Sequence, residues 1–150
     1  MAADTCAVCG AERHARASVC SRCKRIVDRI ETRRDASGGS RRVDKAARLR
    51  ALQNSWRDGS YHCFYTGIAL IDDGQRWRDH RYLVFEHRTP GDEASVVVTC
   101  ALVNRMKTDL TEQQFKSMVR ELAKVFDGDT FDERAFPDGT APRLGVEEAL

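Results

Sequence analysis

The chain lacks any run approaching the roughly 20 consecutive apolar residues that a membrane-spanning helix needs. It also lacks a secretory signal, because its opening MAADTCAVCG holds no apolar core of the required length. Both absences point to a soluble protein of the cell interior. Thiols stay reduced in that setting, which favours metal over disulfide for the cysteines. No internal repeat is apparent, so a repeat architecture is set aside. A strong net charge is missing as well, the formal value being +2.

That small net charge hides an asymmetry. Residues 1–50 carry 13 Lys+Arg against 6 Asp+Glu, and the remaining residues carry 12 against 17. A basic front half suits a phosphate-bearing partner, although a solvated helix face would have the same composition. With 150 residues and 41% apolar content, the chain can build one modest core with a small appendage.

The appendage is legible in the cysteines. Cys6-x-x-Cys9 and Cys20-x-x-Cys23 stand ten residues apart, a spacing that predicts a four-thiolate zinc site over residues 1–34. Gly10 suits the tight knuckle after the first pair. So short a segment cannot bury much surface, and structural zinc contributes on the order of 10–16 kcal/mol in such peptides. Ile26, Val27 and Ile30 follow the second pair at helical spacing. Arg22, Lys24 and Arg25 are the candidate DNA contacts of this finger, a purely structural or protein-binding knuckle being the alternative. With four thiolates present, His14 is expected to be solvated.

Asp35-Ala36-Ser37-Gly38-Gly39-Ser40 has linker composition and predicts a boundary at 35–41. A helix is predicted over Arg41–Asp58, with Ala46, Leu49, Leu52 and Trp56 on one face and Gly59-Ser60 closing it. Tyr61–Ile71 is rich in β formers and predicts two short strands or a bent one, with Asp72-Asp73-Gly74 as a turn. Cys63 and Cys100 lack cysteine partners three residues on, where Thr66 and Val103 stand, and are expected to be small buried residues.

The most informative stretch is Tyr82–Lys107. Tyr82-Leu83-Val84-Phe85 predicts a strand that ends in Glu86-His87. Thr89-Pro90-Gly91-Asp92 predicts a turn, Val96-Val97-Val98-Thr99 the returning strand, and Ala101–Lys107 a helix containing Asn104. A carboxylate and an amide oxygen suit Mg²⁺ or Mn²⁺, and an imidazole suits general-base work.

Glu86-His87 at a strand end, followed by Asn104-x-x-Lys107 on a helix, resembles the HNH (ββα-metal) endonucleases. The continuation Met106-Lys107-Thr108-Asp109-Leu110-Thr111 looks like that of small HNH proteins from phages and prophages. The resemblance spans about 61–126, its specific part being 86–107. It implies an α+β protein, with a ββα-metal nuclease fold over 42–126 behind the zinc finger. It implies metal-assisted hydrolysis of double-stranded DNA, leaving 5′-phosphate and 3′-hydroxyl ends. His87 would be the general base, and Glu86 and Asn104 the ligands of a catalytic Mg²⁺ or Mn²⁺. Arg88, Arg105 and Lys107 would face phosphate. The setting implied is the bacterial cytoplasm, with phage packaging proteins as further partners. One departure stands out: the family's middle Asn, which steadies the base loop, has no counterpart between His87 and Asn104, leaving Asp92 or Ser95 as substitutes. A non-enzymatic nucleic-acid-binding zinc protein on a degenerate HNH scaffold remains an alternative, as does a zinc-organised protein-interaction module.

Beyond this stretch, Thr111 and Gln114 have capping-box spacing. Phe115, Met118, Val119, Leu122 and Phe126 predict an amphipathic helix that covers the core. Residues 127–150 are expected to form an irregular tail, with Phe131 and Phe136 as docking candidates.

Overall fold

The computed structural model describes residues 4–29, 32–34, 40–130 and 132, with backbone alone for 32–34 and 40–42. Ile30, Phe131, Phe136 and most of the expected tail lie outside the described residues. Helices and small antiparallel sheets are mixed, an α+β composition. The chain divides into two compact units, one ending at Met106 and one beginning at Lys107.

In the first unit, the cysteine segment leads into helix α1 (Ser21–Val27), whose buried residues are Cys23, Ile26 and Val27. Strands β1 (Thr32–Arg34) and β2 (Ser40–Arg42) pair antiparallel, with Thr32 opposite Arg42 and Arg34 opposite Ser40. Residues 35–39 lie outside the described residues, but they join two paired strands of one compact unit. The boundary expected at 35–41 falls largely on these undescribed residues.

Helix α2 is shorter than its periodicity suggests, running over Lys45–Ser55. Asp44 caps it by accepting from the Ala47 amide at 2.9 Å, which sets the start beyond Arg41 and Arg42. The helix stops before Trp56 because Asp58-Gly59 makes a two-residue hairpin turn. That turn joins β3 (Trp56–Arg57) to β4 (Ser60–Tyr61), with φ of 50° and 78° at its two residues. The buried face of α2 is Ala47, Arg48, Ala51, Leu52 and Ser55. Of the apolar residues expected on it, Ala46 is exposed and Trp56 sits half-buried in β3.

Strand β5 (Leu83–His87) pairs with β6 (Val96–Cys100), Leu83 facing Cys100 and His87 facing Val96. Helix α3 (Ala101–Lys107) begins where β6 ends. The Tyr82 carbonyl accepts from the Ala101 amide at 2.9 Å, so the strand's start holds the helix's first turn. Helix α2 packs on β6 and on α1. The core of this unit is Tyr61, Phe85, Leu52, Leu83, Val98, Ile26 and Val27, all 2% exposed or less. Full burial of such apolar side chains contributes about 1.5–3 kcal/mol each.

In the second unit, helix α4 (Glu112–Phe126) carries the expected capping box. The Gln114 amide donates to the Thr111 hydroxyl at 3.2 Å, and the Thr111 amide to the Gln114 side chain at 2.9 Å. Its apolar stripe is covered only in part. Phe115 is buried and Met118 half-buried, but Val119, Leu122 and Phe126 are exposed. The expectation that the whole stripe lines a core therefore fails for its C-terminal half.

Candidate functional site

Two sites emerge in the first unit. The first is the thiolate cluster. Gly10, at φ 70°, turns the chain after the first pair, and its amide donates to the Cys6 carbonyl at 3.0 Å. A bridge between Thr5 and Glu12 closes the knuckle. The second pair is set at the start of α1, with Cys20 as its N-cap. The ligand atoms of Cys6, Cys9, Cys20 and Cys23 all lie within 4.8 Å of one another, and the Cys9 sulfur is 3.6 Å from those of Cys20 and Cys23. Thiolates around zinc at about 2.3 Å form a tetrahedron with edges of about 3.8 Å, so the donor set fits. The cluster can hold a structural metal such as zinc.

Burial opposes ionisation of these thiols. At Cys6 the backbone amides of Cys9, Cys20 and Val8 outweigh burial and lower the pKa to about 6. At Cys9 and Cys23 burial prevails and the pKa is raised. Buried Tyr61 places its hydroxyl 2.8 Å from the Cys23 sulfur. Burial also pushes the phenol well above its usual range, so the hydroxyl keeps its proton and would donate to a metal-bound Cys23 thiolate.

The finger is built into the first unit through further contacts. The Arg22 guanidinium grips Asp72 through two bonds of 2.7 and 2.8 Å and lies over the rings of Trp56 and Tyr61. Arg29 donates to the Leu83 carbonyl at 3.0 Å and to the Asp72 carbonyl at 3.3 Å.

The second site is the far end of the β5–β6 hairpin. Glu86 and His87 are 3% and 8% exposed there. The loop between the strands is organised by its own side chains. The Ser95 hydroxyl accepts from the Thr89 amide at 3.1 Å and donates to the Asp92 carbonyl at 2.7 Å, while Asp92 caps the Ala94 amide at 3.0 Å. Of the two substitutes for the absent Asn, Ser95 is the one that spans the loop. Glu93 has no expected role, yet one of its oxygens lies 3.4 Å from His87 Nε2 and the other accepts from the Asp44 amide at 3.0 Å. Nothing in the sequence marks Glu93, because its role depends on α2 reaching the hairpin. A carboxylate only accepts, so Nε2 carries a proton in this contact.

Asn104 is half-buried on α3, the fourth residue of that helix. The expected DNA contacts divide. Arg25, Arg88 and Arg105 are exposed, with Arg88 lying over the Phe64 ring at 5.1 Å. Lys24 is exposed but paired with Asp28. Arg22 is held by Asp72, with its side chain 42% exposed. Lys107 is fully buried, and its ammonium donates to the Leu110 carbonyl, satisfying an orphan acceptor beyond the helix end. Lys107 is therefore not positioned to meet solvent phosphate. Cys63 and Cys100 are 2% and 3% exposed, with the Cys63 sulfur 3.3 Å from the Thr99 hydroxyl.

No family model, curated protein or solved structure matches the chain. No helix among the described residues is long and apolar enough to cross a membrane.

Proposed function

We propose that the protein is a metal-dependent endonuclease of the HNH type that hydrolyses DNA phosphodiester bonds. One observation supports this reading above the others. Glu86-His87 closes the first strand of a hairpin whose second strand runs without a break into the helix bearing Asn104. Carboxylate, imidazole and amide thus come from consecutive elements of one ββα unit.

In this reading His87 takes the proton of the attacking water, while Glu93 lies against its Nε2. Ser95 keeps the loop beneath it in shape. Glu86 and Asn104, an oxygen donor set suited to a hard cation, would hold Mg²⁺ or Mn²⁺. When bound, that ion stabilises the charge on the departing oxygen. Arg88 and Arg105 supply exposed positive charge for the DNA backbone. The zinc finger serves as a rigid part of the same body, with Arg25 as its exposed cation. The protein would work on double-stranded DNA in the bacterial cytoplasm, among phage or prophage functions.

The test is plasmid nicking with Mg²⁺ or Mn²⁺. The parent protein should nick, and His87→Ala should be slower by about 10²–10⁴. The absent middle Asn favours one second reading, a DNA-binding zinc protein without cleavage. DNA binding with no nicking under either metal would select it.

A further inference from the structure

Two clefts open on the first unit, and their charges differ. One, of about 580 Å³, is lined by Asp28, Asp44 and Glu93 together with Arg29, Lys45 and Arg48. Three carboxylates make it a poor seat for a polyanion. The other, of about 290 Å³, is lined by Arg57, His62, Phe64, Arg88 and Val96–Val98, and no acidic residue is among its described lining residues.

The second cleft has the features of a base-stacking site. Phe64 is 48% exposed, unusual for a large aromatic side chain, with the Arg88 guanidinium 5.1 Å over its ring. Arg88 and Arg57 supply exposed positive charge, the latter anchored by its 3.3 Å bond to the Gly67 carbonyl. His62 donates from Nδ1 to the Ser60 carbonyl at 3.2 Å. Three consecutive β6 residues line the cleft, so the strand presents its backbone edge there rather than one face. A strand edge carries amide donors and carbonyl acceptors. The volume lies just under the lower limit for ligand clefts and suits one flat ring system.

We infer that this cleft receives a single unpaired base of the bound DNA strand, stacked on Phe64 with its flanking phosphates on Arg57 and Arg88. The inference rests on the nuclease reading and adds a substrate preference to it. Arg88 follows His87 directly, and Val96 pairs with His87 across the hairpin, so the cleft adjoins the proposed cutting site. A perfect duplex would have to open a base pair to fill it. A bulged, mismatched or branched duplex offers the base already unstacked.

The test uses the full chain carrying His87→Ala, so that DNA is bound and not cut. Affinity is measured by fluorescence anisotropy for a perfect duplex and for the same duplex with one bulged 2-aminopurine. The bulged duplex should bind about 5- to 150-fold more tightly, the range expected for stacking one base on an aromatic ring. Adding Phe64→Ala should erase the preference, and Phe64→Trp should keep it. Trp77→Ala, at an exposed aromatic outside the cleft, should leave the preference intact. Equal affinity for the two duplexes, or a preference that survives Phe64→Ala, overturns the inference and leaves the nuclease reading standing. Failure to bind either duplex overturns both.

Discussion

The hydroxyl of Tyr61 shows how one buried polar group can join two sites. It belongs to a fully buried residue packed edge-on against Trp56 and lies 2.8 Å from the Cys23 sulfur. Partners of this kind orient metal ligands and tune the metal, and their loss typically costs 10–100-fold in metal affinity. Tyr61→Phe should therefore weaken zinc binding by about 10–100-fold. In the cobalt-substituted protein it should also shift the sulfur-to-metal charge-transfer absorption. An unchanged spectrum would mean that the hydroxyl does not reach the thiolate. Glu93 acts at the same scale on His87. Glu93→Ala removes one contact of the imidazole ring and should slow nicking by up to about 10²-fold, the cost of a small misplacement of a reacting group. It should do so less severely than His87→Ala.

At the scale of elements, the β3–β4 hairpin tests how the chain turns. Gly59 sits at φ 78° with open space around it, so an added methyl meets no atom and the penalty is conformational. Gly59→Ala should destabilise the first unit by about 1–2 kcal/mol, read as a lower urea midpoint at unchanged slope. Most of the ββα unit was legible in sequence. Its two β-branched runs, the Pro-Gly turn and the helix after Cys100 all agree with their local preferences. The boundaries of α2 were less so. An apolar periodicity running to Trp56 competed with Asp58-Gly59, and the turn chemistry prevailed because two successive residues adopt positive φ there.

At the scale of the whole molecule, the metal cluster and the hairpin share one compact unit. Arg29 bonds to the carbonyl of Leu83, the first residue of the strand that ends in His87. Stripping the metal should therefore loosen more than the finger. Chelation should speed amide exchange throughout 83–87. Exchange confined to residues 5–27 would show the finger to be energetically separate. Acid should act in the same direction. The Lys24 and Lys45 ammonium groups hold Asp28 at about 2, and Arg22 holds Asp72 below the usual carboxylate range. Folded carboxylates with depressed pKa values stabilise the protein above their unfolded value of about 3.9, and this is lost as pH falls through the folded one. Stability should thus decline as pH falls below about 4. Arg22→Gln should flatten that decline by removing the partner of Asp72; Asp28, being exposed, contributes little through solvent screening.

By itself the sequence determined the thiolate cluster, the hairpin and its helix, and the capping box of α4, because each rests on spacing or turn chemistry within about 25 residues. Tertiary structure alone decided which charges are free and which are struts. Arg22 and Lys107 look like phosphate contacts in sequence, yet one is gripped by Asp72, fifty residues away, and the other is buried. Glu93 reaches His87 within its own hairpin loop, but its second oxygen is engaged by the amide of Asp44, forty-nine residues away. A side chain's partner is set by which elements pack together, and local residue pattern carries no record of that.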